Sequence, residues 1–164
     1  MKIRKIKELE GTDRHVIGNG FESIRVLLES DNMGFSLHKT IIPKGGPYHW
    51  HYKNHLESCY CVKGSGIIHD LTNNTYHPIN VDTTYILDNN DDHTFQALDD
   101  TVLISVFNPP VTGGEIHGED GSYSIDRTKI NKLVREMIGI CNSHKNDYDM
   151  SDSFRELLIK NKII

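Results

Sequence analysis

Over roughly the first 125 residues, apolar and polar positions alternate in short runs bounded by turn-forming residues. Ser23–Glu29, Gly34–Ile42, Ser58–Val62, Gly66–Leu71, Thr75–Ile79, Thr83–Leu87, His93–Leu98 and Val102–Phe107 each read as a strand. Ser30–Gly34, Lys63–Gly66, Asn73-Asn74, Asp88–Asp92 and Asp99-Asp100 separate them with residues that tolerate left-handed backbone. Short strands at roughly ten-residue spacing predict an antiparallel barrel or sandwich rather than alternating strands and helices. Pro109-Pro110 ends the last strand, because neither residue has an N–H for a ladder. From Asp126 the period changes: Ile130, Leu133, Val134, Met137, Ile138 and Cys141 fall on one face of an amphipathic helix. A second short helix is expected near Ser151 or Ser153, where Ser153-Phe-Arg-Glu156 has the form of a capping box. The expected fold is all-β, a barrel or sandwich over residues 1–125 with a short helical C-terminal extension over 126–164.

Composition narrows the function. The chain has 164 residues, 37% hydrophobic and 25% charged, as in an ordinary globular domain. A net charge of −5 with no Lys/Arg block argues against a nucleic-acid partner. No stretch approaches the ~20 apolar residues of a membrane span, and the charged N-terminus lacks the apolar run of a signal peptide. A cytoplasmic protein with a small-molecule substrate is expected. Cys59 and Cys61 stand two apart on one strand, a poor geometry for a disulfide, and read as buried thiols; Cys141 is left odd.

The densest chemistry lies in 46–57. His49, His51, His55 and Glu57 all carry odd numbers, so an extended segment would turn all four to one side. Three imidazoles and a carboxylate on one face would make a nest for a divalent metal. Glu57 precedes the apolar run Ser58–Val62, where a buried carboxylate needs a cation. His15, His69, His77 and His144 read as structural or exposed.

His49-x-His51, Glu57 and Gly64 resemble the first motif of the cupin superfamily, which holds a metal inside a small barrel, and His93 is available as a later ligand. The spacing from His51 to Glu57 is longer than usual, and the second motif lacks its Pro-x-Gly around Val81-Asp82. A closer resemblance runs through Gly11–Arg14, Gly34-Phe-Ser with Thr40, Asn54–Glu57, Tyr85-x-Leu-Asp88, Asp91–His93, Phe107–Gly113, Glu115–His117 and Glu119–Gly121. Together these blocks resemble ectoine synthases, nearly without gaps over residues 1 to 125.

The resemblance implies a homodimeric, cupin-fold, iron-dependent enzyme that closes N-γ-acetyl-L-2,4-diaminobutyrate into ectoine with loss of water. It implies metal ligation by Glu57, Tyr85 and His93, in place of His49 and His51, with Fe(II) expected and Zn or another divalent ion as the alternative. It implies a substrate pocket of Phe21, Arg25, Thr40, Tyr52, His55, Phe107, Glu115 and His117. Of these, Tyr52, His55, Glu115 and His117 are candidates for proton transfer. Arg25 is expected to fork onto the substrate carboxylate, and Tyr85 and His93 to face each other across a hairpin. The chain departs from the family with Phe21 for a usual Trp, Ser105 for a usual Cys, and some forty residues beyond Tyr123. The alternatives are a cupin dioxygenase or isomerase and a non-catalytic solute-binding module.

Overall fold

The computed structural model describes residues 1–115, 118, 122, 123, 127–143 and 150–160. The chain divides into two compact units, Met1–Ser124 and Ile125–Ile164. The first opens with one helical turn, α1 (Ile6–Leu9), and continues as β1 (His15–Gly18), β2 (Phe21–Leu27), β3 (Ser36–Ile42) and β4 (Gly45–Trp50). It goes on through β5 (Leu56–Lys63), β6 (Gly66–Asp70), β7 (Thr75–Ile79), β8 (Thr84–Leu87), β9 (His93–Ala97) and β10 (Thr101–Asn108).

Two antiparallel sheets result. One has the order β1-β2-β3-β10-β5-β8, the other β4-β9-β6-β7. This is the cupin-type β-sandwich that the sequence predicts. The strand with the strictest alternation, β10, buries Thr101, Leu103, Ser105 and Phe107 and leaves the residues between them half-buried. Ile42, Trp50, Cys59, Cys61, Ile68, Phe95, Leu103 and Phe107 meet in the core between the sheets. The β5–β6 turn needs glycine: Gly64 has φ +82°, and a Cβ there would lie 2.5 Å from the Asp100 carbonyl.

Three elements are additional to the sequence reading: α1, β1 and β4. The turn expected between β2 and β3 contains a 3-10 turn at Glu29–Asp31, with Asn32 left-handed at φ 56°. Asp31 pins the N-terminal segment, bonding Arg4, Arg14 (3.2 Å) and the Leu28 N–H (3.1 Å). The Arg4 guanidinium, first among these partners, holds its carboxyl well below the usual range.

The second unit contains α2 (Arg127–Ser143) and α3 (Met150–Lys160), which pack on each other with Lys160 Nζ 3.3 Å from Glu136 Oε2. No helix among the described residues is long and apolar enough to cross a membrane.

Candidate active site

The alternation over 46–57 resolves opposite to His49 and His51, while His55 and Glu57 are buried. Strand β4 stops at Trp50, and a turn follows before β5. The even positions Trp50 and Tyr52 are buried, because aromatic rings gain more from burial than imidazoles do. His49 and His51 instead face Asp92, with side chains 44% and 23% exposed. They are not brought to Glu57, and the four-residue nest does not form. Among the described residues, no three His, Cys, Asp or Glu side chains are placed to hold a metal.

Glu57 and His93 are buried inside the sandwich, and Tyr85 packs half-buried against its core. Glu57 projects inward from β5, 7% exposed, beside Cys59 Sγ at 3.2 Å. Burial pushes its carboxyl up to about 7, against the lowering pull of hydrogen bonds from Cys59 and Ser105. Tyr85 pairs with Cys59 in the β5–β8 ladder, two positions from the Glu57–Leu87 pair. Burial drives the Tyr85 hydroxyl well above its ordinary range.

Tyr85 and His93 do not face each other across a hairpin. Strand β8 is an edge of the six-stranded sheet and β9 belongs to the other, so their rings approach across the core, centroids 6.5 Å apart. The acidic turn changes sheets because β8 pairs with β5 and β9 with β4 and β6.

His93 carries the most telling atom. Its Nδ1–H donates to the Asp91 carbonyl at 3.0 Å, which fixes the tautomer and leaves the lone pair on Nε2. That Nε2 is buried and has no hydrogen-bond partner among the described residues. A bare imidazole nitrogen, a carboxyl whose charge is penalised by burial, and a buried phenol fit a cation that would satisfy all three.

The pocket that Glu57 and Tyr85 share is aromatic, and His93 is not among its lining residues. An inner cavity is lined by Phe21, His38, Thr40, Trp50, Tyr52, Glu57, Tyr85, Ser105, Phe107 and Tyr123. Its free space is about 20 Å³, room for one water. Phe107 packs edge-on to Tyr52 (5.0 Å) and at 5.9 Å from Tyr123. Phe21 and Trp50, 6.0 Å apart and edge to face, line both this cavity and an outer one of about 250 Å³. Phe21 lies over Gly18, where a Cβ would come within 2.2 Å of its ring.

The remaining expected residues divide in two. Thr40 and Tyr52 join the inner cavity, the Thr40 hydroxyl 3.2 Å from Ser105 Oγ. Burial holds the Tyr52 hydroxyl well above its ordinary range, so it keeps its proton. His55 donates Nδ1–H to the Pro109 carbonyl at 2.7 Å, leaving Nε2 as its lone pair.

Arg25 and Glu115 serve the loop after β10. Arg25 is fully buried and donates to the carbonyls of Gly113 (2.6 Å) and Glu115 (2.9 Å). With both terminal nitrogens engaged, the expected fork is not free, and only Nε lacks a partner. The Glu115 carboxylate accepts from Thr112 Oγ1 (2.7 Å) and the Gly113 N–H (2.8 Å). Burial raises its carboxyl and these bonds outweigh that, holding it ionised below its ordinary range. Its acceptor sites belong to its own loop, which suits anchoring better than proton transfer. His117 lies outside the described residues, as does His144.

Sequence reasoning missed Trp50, His38 and Tyr123. The parity that singled out the histidines contained the signal for Trp50. Nothing local marks Tyr123, whose carbonyl is held by Asn54 Nδ2 at 3.1 Å. Of the histidines read as structural, His15 pairs with Glu22 at 2.9 Å, His69 with Asn74 and His77 with Thr75.

His38 gives the fold an acid sensitivity. Burial, with help from the Arg25 charge, lowers its imidazole to about 3. Ser23 Oγ lies 3.3 Å from Nδ1, and the Phe107 ring covers it at 4.9 Å. An unfolded chain therefore binds a proton at His38 from its ordinary value of 6.5 downward, while the folded chain refuses it. Stability falls as pH drops from 6.5 towards 3. The urea midpoint should decline between about pH 7 and about pH 4, and His38→Gln should flatten that decline.

The comparisons with known proteins agree with this architecture. The family model described as ectoine synthase matches residues 1–127. An L-ectoine synthase of Saccharophagus degradans is 45% identical over 130 residues, covering 79% of this chain and 98% of that protein. One of Desulfosudis oleivorans is 48% identical over 126 residues, covering 76% and 98%. The crystal structure of ectoine synthase from P. lautus superposes with TM-score 0.69 at 36% identity, covering 74% of this chain and 87% of that one. The matched stretch holds every strand and every expected site residue, and the chain belongs to the ectoine synthase family.

Proposed function

We propose that this chain is a metal-dependent ectoine synthase. It closes N-γ-acetyl-L-2,4-diaminobutyrate by condensing the α-amine with the γ-acetamido carbonyl and expelling water. The observation that carries the reading is the buried Nε2 of His93, without a hydrogen-bond partner among the described residues, on a ring 6.5 Å from that of Tyr85, which lines one cavity with Glu57. These three residues would hold the ion. When bound, it supplies Lewis acidity, which amide carbonyls need because they are poor electrophiles. An anionic carboxylate and a phenol favour a hard ion, Fe(II) by the family resemblance.

The other groups act on protons and shape. The attacking amine must lose a proton as the C–N bond forms, and His55 Nε2 has the lone pair to take it. The carbonyl oxygen leaves as water and must gain protons. It gains two, the amine loses two as the C=N bond forms, and the Tyr52 phenol, which lines the cavity, relays one of them. Phe107, Tyr123 and Trp50 wall the forming ring and hold bulk water away. The substrate exceeds a 20 Å³ cavity, so its admission moves part of the Phe21–Trp50 wall.

The resemblance also supports a cytoplasmic homodimer, to be checked by sedimentation. The deciding experiment incubates the full chain anaerobically with Fe(II) and the acetylated substrate and follows ectoine by NMR. Ectoine formed only with metal is the expected result. A folded, iron-loaded protein that binds ectoine and makes none would favour solute binding.

A further inference from the structure

Across the inner face of the six-stranded sheet runs a row of register partners. Arg25 pairs with His38, His38 with Ser105, Ser105 with Cys59, and Cys59 with Tyr85. A straight row of polar side chains through five strands is costly unless each is satisfied by its neighbours. Cys59 is the member that touches the candidate ligands. It is 1% exposed, 3.2 Å from Glu57 Oε1 and 3.1 Å from Ser105 Oγ, and hydrogen-bonds the Tyr85 hydroxyl.

Cys61, its neighbour on the same face, behaves differently: its thiol turns to the carbonyls of Lys63 (3.4 Å) and Gly64 (3.9 Å). One thiol closes a turn; the other sits between two groups of the site. Ser105 stands directly across the ladder from Cys59.

We propose that Cys59 is a positioning residue whose thiol holds the Glu57 carboxylate in the orientation that serves a metal ion. The inference rests on Glu57 being a ligand. A ligating carboxylate only accepts, so the shared hydrogen belongs to sulfur. The Ser105 hydroxyl, 3.1 Å from that sulfur and 3.2 Å from the Thr40 hydroxyl, and the Tyr85 hydroxyl close the cluster around it. Such a contact fixes the carboxylate's rotation without joining the coordination sphere.

The test uses the full chain without metal and titrates it with Co(II), followed by calorimetry. Cys59→Ala and Cys59→Val, which cannot donate, should lose about 10- to 100-fold in Co(II) affinity, the usual cost of a lost ligand-orienting contact. Cys59→Ser, which can donate, should stay within about threefold of the parent. Thermal unfolding of the metal-free variants should not follow that order, since valine and alanine both suit a buried strand. Should Cys59→Val fail to fold, alanine against serine carries the comparison. Equal affinity in all the variants would overturn the proposal, as would a serine variant as weak as alanine. Glu57→Gln separates the two readings: if it binds Co(II) like the parent, the ligand reading and this inference fall together. If Glu57→Gln loses binding while Cys59→Ala keeps it, only this inference falls.

Discussion

A Glu57→Gln protein should fold, retain no Fe(II) after desalting, and form ectoine about 10³-fold more slowly than the parent. The two oxygens of a carboxylate are what a hard cation selects, and an amide of the same size offers one weaker acceptor. The same change should leave the metal-free protein as stable or more so. Burial already pushes the Glu57 carboxyl up to about 7, so the ionised form is costly where it stands. A neutral amide escapes that cost. The expected pattern is therefore opposed: a thermal midpoint unchanged or raised without metal, with metal content and turnover lost together. Parent-like turnover in this variant would sink the site assignment.

Arg25→Leu should cost about 3–5 kcal/mol in urea unfolding, the scale for removing one partner from a buried charged network. The guanidinium is wholly enclosed and holds two carbonyls, and Glu115 Oε2 lies 3.9 Å from Nη1. Leucine would fill part of the volume and leave those acceptors without a donor. Arg25→Lys keeps the charge but lacks the planar fork that spans Gly113 and Glu115, so it should recover less than half of the loss. Because the carbonyls belong to the segment after β10, proteolysis in the native state should move to residues 112–115 in both variants. A cost below about 1 kcal/mol for Arg25→Leu would mean that the clamp holds little.

The strand pattern was legible because burial on one face imposes period two, and β10 shows it residue by residue. Short elements escaped: β1 has four residues with no fully buried member, too few to reveal a period. The candidate ligands were legible only through several motifs agreeing in order. Local alternation misled, because it reports that two faces differ and not which one is inward. At 48–52 the aromatic residues decided that, against His49 and His51. The relation of Tyr85 to His93 was hidden for another reason. A short turn between strands reads as a hairpin, and only long-range pairing shows that it crosses between sheets. The roles of Arg25 and Glu115 were likewise unreadable, since their partners lie about ninety residues away or in a loop without a pattern.

The wall between the two cavities carries a kinetic meaning. Trp50 is stacked on Tyr48 at 6.0 Å and on Phe95 at 6.3 Å, while Phe21 meets it only edge-on and rests on a bare glycine. A chamber that holds one water when shut can neither admit its substrate nor discharge a ring and a water molecule without opening twice per cycle. A phenyl ring at position 21 closes such a wall with less apolar surface than an indole would.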